Sequence, residues 1–521
     1  MSPLILRMVT IAEKQSANLS STLLAIFPLF STRGIRGLTP PARLCNIQLQ
    51  SPRFLCLREP LLFSFDLNVM SQPFTTYEQA LDFLYNRINY ERLQSSFYSA
   101  GDFKLNRMRG LLELIGNPQD QIPAVHIAGT KGKGSTAVMT ASILRSAGFR
   151  VGLFTSPHLS KFEERIQVNG QQPTEAEVVD LVNQLLPAVA ELDQQLGGMS
   201  PTYFELTTAM GWLFFRQQSS QIAVLEVGLG GRLDATNVCH PEVCVITSIS
   251  RDHTHLLGSE LQQIAREKAG IIKLGIPVVS GVFNSPAKEA IEEVCVQRNA
   301  ALRLLSRDVH FHFEAQSNDS EFVEITIEET GAEDLTHLPV PLLGEHQAHN
   351  AALAVMAIKE LSKKGWKVSA DAIRDGLRRV HWPARIEVVA RNPTTIIDAA
   401  HNWASVSALV RTLDQQFPNQ RRIAIFAATQ DKDIAGLLRQ LLPQFETIIL
   451  TCYRSNPRGV PAEQLFALAR SLGGRYVHLA THPQEAWNLA TQLALPEDLI
   501  CISGSFFIAA ELRDVILAPH R

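Results

Sequence analysis

The stretch Ala124-Val125-His126-Ile127-Ala128-Gly129-Thr130-Lys131-Gly132-Lys133-Gly134-Ser135 decides the fold. Ala124 to Ala128 is a short apolar run entering a glycine loop, and Ser135 to Ala147 then reads as a helix. Glycines let backbone N–H groups close on phosphate oxygens without interference from a Cβ. The helix that follows adds its positive N-terminal end. Lys133 would reach the terminal phosphates as a point charge. The full G-x-x-x-x-G-K-[ST] pattern is not met, because Ile127 occupies the first glycine position and Gly134 precedes Ser135. A plain glycine-rich turn is the competing reading of the loop alone.

Outward from the loop, strands and helices alternate. Val151 to Phe154 and Pro277 to Gly281 read as strands, and Ile222 to Val227 and Val243 to Ile249 as buried parallel ones. Phe204 to Phe215, Ala287 to Arg298 and His349 to Leu361 read as helices. Residues 302–330 alternate in shorter runs and are expected as antiparallel strands at a sheet edge. After Trp382-Pro383 the pattern restarts, with strands at Ile386 to Val389, Thr394 to Ile397, Ile423 to Phe426, Ile448 to Thr451 and Leu499 to Ile502. The expectation is two α/β domains: a mostly parallel phosphate-loop domain at 70–380 and a smaller Rossmann-like domain at 384–521.

Bulk properties narrow the function. The 521 residues carry a net charge of -3, so no strong field for nucleic acid or an anionic membrane is expected. Leu23 to Phe30 is far shorter than the roughly 20 apolar residues of a membrane span. Seven scattered cysteines without C-x-x-C spacing argue against a disulfide framework or a structural zinc site and suggest a cytoplasmic compartment. Residues 1–69 are rich in Arg and poor in acids. They read as an organelle transit peptide, a disordered tail, or an upstream stretch before a true start at Met70, the last being favoured.

Two further features carry chemistry. Glu226, near the end of its strand and followed by Gly228-Leu229-Gly230-Gly231, is well placed to hold Mg²⁺ beside a phosphate loop, or is a solvent-facing strand-end charge. Asp252-His253-Thr254-His255 follows another strand, where such folds bind ligands, although a lone His is more often structural.

Several segments together resemble the folylpolyglutamate synthase and dihydrofolate synthase family, within the wider group of Mur-type ligases. They are Gly129 to Ser135, Thr155-Ser156-Pro157-His158-Leu159, Glu164-Arg165-Ile166, Glu226 to Asn237, His346-Gln347 with Asn350-Ala351, and Asp398 with His401-Asn402. The resemblance covers about residues 75–521. It implies ATP-dependent transfer of L-glutamate through an acyl phosphate, with dihydropteroate, tetrahydrofolate or both as acceptor.

By that resemblance, Gly129, Thr130, Gly132, Lys133, Gly134 and Ser135 bind ATP, with Asn350, Arg385, Asp398 and His401 reaching it from elsewhere. Ser156 and Glu226 hold a first Mg²⁺, and His253 a second. Lys268 matches a lysine that is carbamylated in the family; on its own it reads as a surface helix lysine. Lys133, Lys268 and His253 would thus serve the chemistry. Phe204, Asp234 and Ala235 point to a pterin site and to the bifunctional type, against core and turn roles for Phe204 and Asp234. The resemblance further implies a monomer that takes small molecules only.

Three residues depart from the family pattern: Lys131 where Asn is usual, and Ala384 and Ala399 where Gly is usual. A Mur-type cell-wall ligase, a folylpolyglutamate synthase alone and a non-catalytic nucleotide binder remain as other readings. No N-K-x-D base-reading motif is present; Asp431-Lys432-Asp433 reads as a loop into a helix near Ile434.

Overall fold

The computed structural model describes residues 72–91, 105–195, 200–314, 322–329 and 334–518. The expectations for residues 1–69 lie outside them. The run that opens the argument is β1 (Ala124–Ala128), buried on both faces. It stands inside a seven-stranded sheet with β2 (Val151–Phe154), β3 (Ile166–Val168), β4 (Ile222–Glu226), β5 (Pro241–Ile246), β6 (Val278–Ser280) and β7 (Leu302–Leu304). The order is β3-β2-β4-β1-β5-β6-β7, parallel throughout except for the β2–β3 pair. Fully buried strands read as unbroken apolar runs because both faces are covered by helices.

Residues 302–330 differ from the expectation. Leu302–Leu304 is a parallel strand at the edge of the main sheet. The alternating runs instead form a separate antiparallel sheet of β8 (Val309–Glu314), β9 (Val323–Glu329) and β10 (Leu335–Val340). Its alternation follows from having one face on the core, with Val323, Ile325 and Ile327 buried.

The third sheet holds β11 (Glu387–Ala390), β12 (Thr394–Ile397), β13 (Arg422–Phe426), β14 (Thr447–Leu450), β15 (Val477–Leu479) and β16 (Leu499–Ser503). Their order is β11-β12-β16-β13-β14-β15, with only β11–β12 antiparallel. Helix Lys133–Ser146 is buried from Gly134 to Leu144 and packs on helices Glu345–Lys363 and Ala370–Arg378. That all-round burial ties the glycine loop to the molecule's largest apolar cluster, which runs from Val125 to Cys501 and so joins both large sheets. Among the described residues, no helix is long and apolar enough to cross a membrane, and the five described cysteines are unbridged.

Candidate functional site

The loop after β1 turns on Gly129 and Gly132, the latter at φ +85°. A Cβ on Gly129 would strike Thr247 Oγ1, and one on Gly132 would strike the Asn350 amide, so both positions require glycine. No side chain caps the helix that begins at Lys133. Its first N–H groups lack intrahelical partners, which makes the loop an anion site. A Cβ on Gly134 would lie 3.0 Å from Trp382 Cζ2 and 3.2 Å from Glu226 Oε2. The segment linking the two large sheets therefore passes directly against the phosphate loop.

A cavity of about 620 Å³ opens at the carboxyl ends of β1, β4 and β5. It is lined by Gly129, Thr130, Gly132, Lys133, Gly134, Ser135, Ser156, Phe204, Glu226, Asp234, Ala235, His253, Lys268, Arg385 and His401. Asn350 and Asp398 are not among its lining residues. Asn350 lies behind Gly132 and donates to Gln347 Oε1 at 3.0 Å. Asp398 accepts from the N–H groups of Ile386 (2.9 Å) and Ala400 (2.8 Å), behind Arg385.

Glu226 is buried, not solvent-facing, and accepts the Ser156 N–H at 3.1 Å. Burial pushes its carboxyl upward, against the pull of Lys133, the Ser156 N–H and Arg385. Lys268 is likewise buried and donates to the Gly129 carbonyl at 2.9 Å. Burial, with Lys133 and Lys131 adding, brings its ammonium down to about 7. Spacing held the signal: Lys268 lies four residues after the buried Ile264, on the same helix face. His253 sits at φ +50°, and burial takes its ring down to about 4.

Phe204 is the second residue of helix Tyr203–Gln217, whose start is held by a capping box between Thr202 and Glu205. Its ring faces the cavity, packing against Gly228 and edge-on to Phe154 at 5.9 Å. Asp234 caps the short helix Ala235–Val238 as a turn residue does, and still lines the cavity. Its Oδ2 accepts the Leu229 N–H at 2.9 Å; Oδ1 accepts the Thr236 N–H at 3.0 Å and hydroxyl at 2.5 Å.

Asp252 lines the cavity, as its place after a strand suggests, and Lys131 lies beside it; Asp431, Lys432, Arg458 and Glu91 also line it and were not anticipated. Lys131 binds Asp252 at 2.9 Å and lies 3.2 Å from His401 Nε2, a residue 270 positions away in sequence. Burial raises the Asp252 carboxyl, but Lys131, His253 and Lys432 outweigh it and hold the group well below the usual range. Asp431 and Lys432 reach the cavity from the loop after β13. Asp433 caps helix Ile434–Leu441, as the loop reading expects. Arg458 binds Asp431 and the Glu91 carbonyl, and Glu91 pairs with the buried Arg165. Position after a strand's carboxyl end was the signal for Asp431 and Lys432; Glu91 offered none.

Ala384 adopts φ +54°, the region where its Cβ is unfavourable, and so does its neighbour Ile386 at +51°. Ala399 is not among the positive-φ residues, so its methyl group is tolerated. The two strained residues flank Arg385, whose guanidinium lies 4.7 Å from the Phe506 ring centre.

Residues 127–358 match the Mur ligase middle domain, and residues 384–506 the glutamate ligase domain of Mur ligases. The dihydrofolate synthase/folylpolyglutamate synthase of Bacillus subtilis is 35% identical over 446 residues, covering 84% of this chain and 99% of the relative. The Escherichia coli protein of the same description is 35% identical over 394 residues, covering 75% and 86%. Among solved structures, Mycobacterium tuberculosis folylpolyglutamate synthase complexed with ADP and AMPPCP superposes with a TM-score of 0.77 at 31% identity, covering 88% of this chain and all of that one. The Escherichia coli FolC complex with DHPP and ADP gives 0.74 at 30% identity, covering 85% and 98%. With its phosphate loop, buried Glu226 and shared cavity, this chain belongs to the folylpolyglutamate synthase and dihydrofolate synthase family of Mur-type ligases.

Proposed function

We propose that this chain joins L-glutamate to both dihydropteroate and tetrahydrofolate at the expense of ATP. The observation that carries the reading is one cavity lined both by the phosphate loop and by Phe204 with Asp234. A carboxylate is a poor electrophile. Transfer of the γ-phosphoryl group to it gives an acyl phosphate and ADP. The glutamate amine then attacks the acyl carbon, loses a proton and expels phosphate. Such chemistry needs positioning and charge neutralisation more than covalent help from the protein.

The loop N–H groups and Lys133 would hold the phosphates, and Arg385, which lines the same cavity, would meet them from the second domain. Phe204 would lie on the pterin ring, beside Ala235, and Asp234 would accept its N–H donors. Crossing contacts such as Asp252–Lys131–His401 would keep water from the acyl phosphate.

Among the described residues, no group of three His, Cys, Asp or Glu converges to hold a metal by itself. Glu226 with Ser156 fits Mg²⁺ all the same, because that ion commonly takes one or two protein oxygens and completes its shell with phosphate and water. When bound, it neutralises phosphate oxygens. His253, neutral near pH 7, suits a second ion only if the surrounding lysine charge is reduced. Lys268 suits carbamylation, since burial favours the free amine that reacts with CO₂ and nearby Lys133 would steady the resulting anion. We read the protein as two α/β domains in a cytoplasmic monomer.

The test is ATP-dependent incorporation of labelled glutamate, with dihydropteroate and tetrahydrofolate offered in parallel in Mg²⁺ and bicarbonate. Incorporation into both is expected. Use of tetrahydrofolate alone would leave only a tail-extending synthase, and use of neither would refute the reading.

A further inference from the structure

We infer that His126 is a positioning residue for pterin recognition, acting through Thr236 on Asp234; this rests on Asp234 being the pterin acceptor. His126 sits in the middle of β1 and is fully buried. It is not among the residues lining the cavity. Its Nε2 lies 2.8 Å from Thr236 Oγ1, 110 positions away in sequence, and that oxygen lies 2.5 Å from Asp234 Oδ1.

Proton positions follow from counting donors. Asp234 receives three: the N–H of Leu229, the N–H of Thr236 and the hydroxyl of Thr236. Burial pushes the Asp234 carboxyl up, but these three donors, with Lys133 nearby, pull the other way and favour its ionised form, which only accepts. The Thr236 proton must then point at Asp234. Thr236 Oγ1 is left as acceptor toward His126, whose Nε2 must carry hydrogen. Nδ1 has no partner among the described residues, so it is a bare lone pair, a cheaper vacancy than a buried N–H. Burial takes the ring down to about 3, so His126 stays neutral at working pH and supplies one proton only.

The chain therefore runs one way: His126 Nε2–H to Thr236 Oγ1–H to Asp234 Oδ1. Two donors saturate Oδ1. Oδ2 receives one and keeps one acceptor direction open, on the group that lines the cavity. A hydroxyl that itself accepts is a better donor, so His126 strengthens the bond that sets the carboxylate's rotation. Without the histidine, the Thr236 hydroxyl loses a buried partner and is free to turn. The Asp234 carboxylate then loses its fixed aim.

The experiment compares Asp234→Asn, Thr236→Val, Thr236→Ser, His126→Phe and His126→Gln with the intact enzyme. KM and kcat are measured for dihydropteroate, and KM for ATP. Asp234→Asn and Thr236→Val should each raise the dihydropteroate KM by about tenfold or more, and His126→Phe by about fivefold, with the ATP KM unchanged. Thr236→Ser, which keeps the hydroxyl, and His126→Gln, whose amide N–H reaches the Nε2 position, should recover most of the loss. Normal KM in His126→Phe and Thr236→Val beside a raised KM in Asp234→Asn overturns the relay alone. Normal KM in Asp234→Asn overturns the pterin reading and the relay with it. Should the histidine variants fold poorly, ¹⁵N-histidine spectra of the intact enzyme still decide. An Nε2–H tautomer at His126 supports the direction of the chain, and an Nδ1–H tautomer or imidazolium overturns it.

Discussion

Gly228 stands directly behind the proposed pterin platform, which makes Gly228→Ala a sharp perturbation. The added Cβ would lie 2.5 Å from Phe204 Cζ, 2.9 Å from Cε2 and 3.0 Å from Cε1. Carbon atoms rest at about 3.5–4.0 Å, so the ring must retreat by about 1 Å. It cannot simply slide sideways, because Phe154, 1% exposed, packs edge-on at 5.9 Å. The ring must swing into the cavity, into the space the pterin would take. Loss of an aromatic stack and its buried area is worth about 1–2 kcal/mol, or a 5- to 30-fold rise in the dihydropteroate KM. The three atoms nearest the added Cβ all belong to Phe204, so the ATP KM should stay within about twofold. The assay is steady-state glutamate incorporation with each substrate varied in turn, on protein whose unfolding midpoint is checked. A well-folded variant with an unchanged dihydropteroate KM would show that Phe204 does not touch the pterin.

Lys133→Ala should lower ATP-dependent phosphate release by about 100-fold or more while the protein stays folded; an active variant would sink the loop assignment. Ala384→Gly should raise the urea midpoint, by about 1 kcal/mol of stability, because φ +54° suits glycine and not alanine. A lower midpoint would mean the strain is relieved elsewhere. With ¹³C-bicarbonate, the intact enzyme should show a carbamate carbonyl resonance that Lys268→Met lacks, and a signal shared by both would point to another site. His126 is held neutral by burial, with its ring at about 3. Its contribution to stability is therefore full above about pH 6.5 and declines as pH falls toward 3. At pH 5 the loss is about 2 kcal/mol, and His126→Gln should flatten that part of the acid limb in chemical denaturation. Coincident acid limbs would refute the neutral, buried assignment.

The alternation of apolar strands and helices announced two parallel sheets, because a strand buried on both faces is apolar along most of its length. Some short or half-exposed strands gave no such signal. Ile166–Val168 is three residues long, and Val477–Leu479 is only partly buried, so neither was legible. The alternating runs near 302–330 were legible as antiparallel strands but not as a sheet of their own, since alternation reports which face is wet and not which sheet a strand joins.

Within the site, the chain by itself determined the local chemistry. Glycines at 129 and 132 before a helix, with Gly134 in its first turn, make an anion loop wherever the fold carries them, since the requirement lies in the backbone. Only the tertiary structure decided which distant groups meet that loop. Lys268 reads as a surface lysine in Ala265-Arg266-Glu267-Lys268, yet it is buried against the Gly129 carbonyl, 139 positions away in sequence. Asp234, Thr236 and His126 converge because β1 and the short helix after β4 pack together. Lys131 and His401 meet because two sheets share one apolar core. Local pattern specifies what a residue can do; burial and long-range contact set its charge, its proton and its partner.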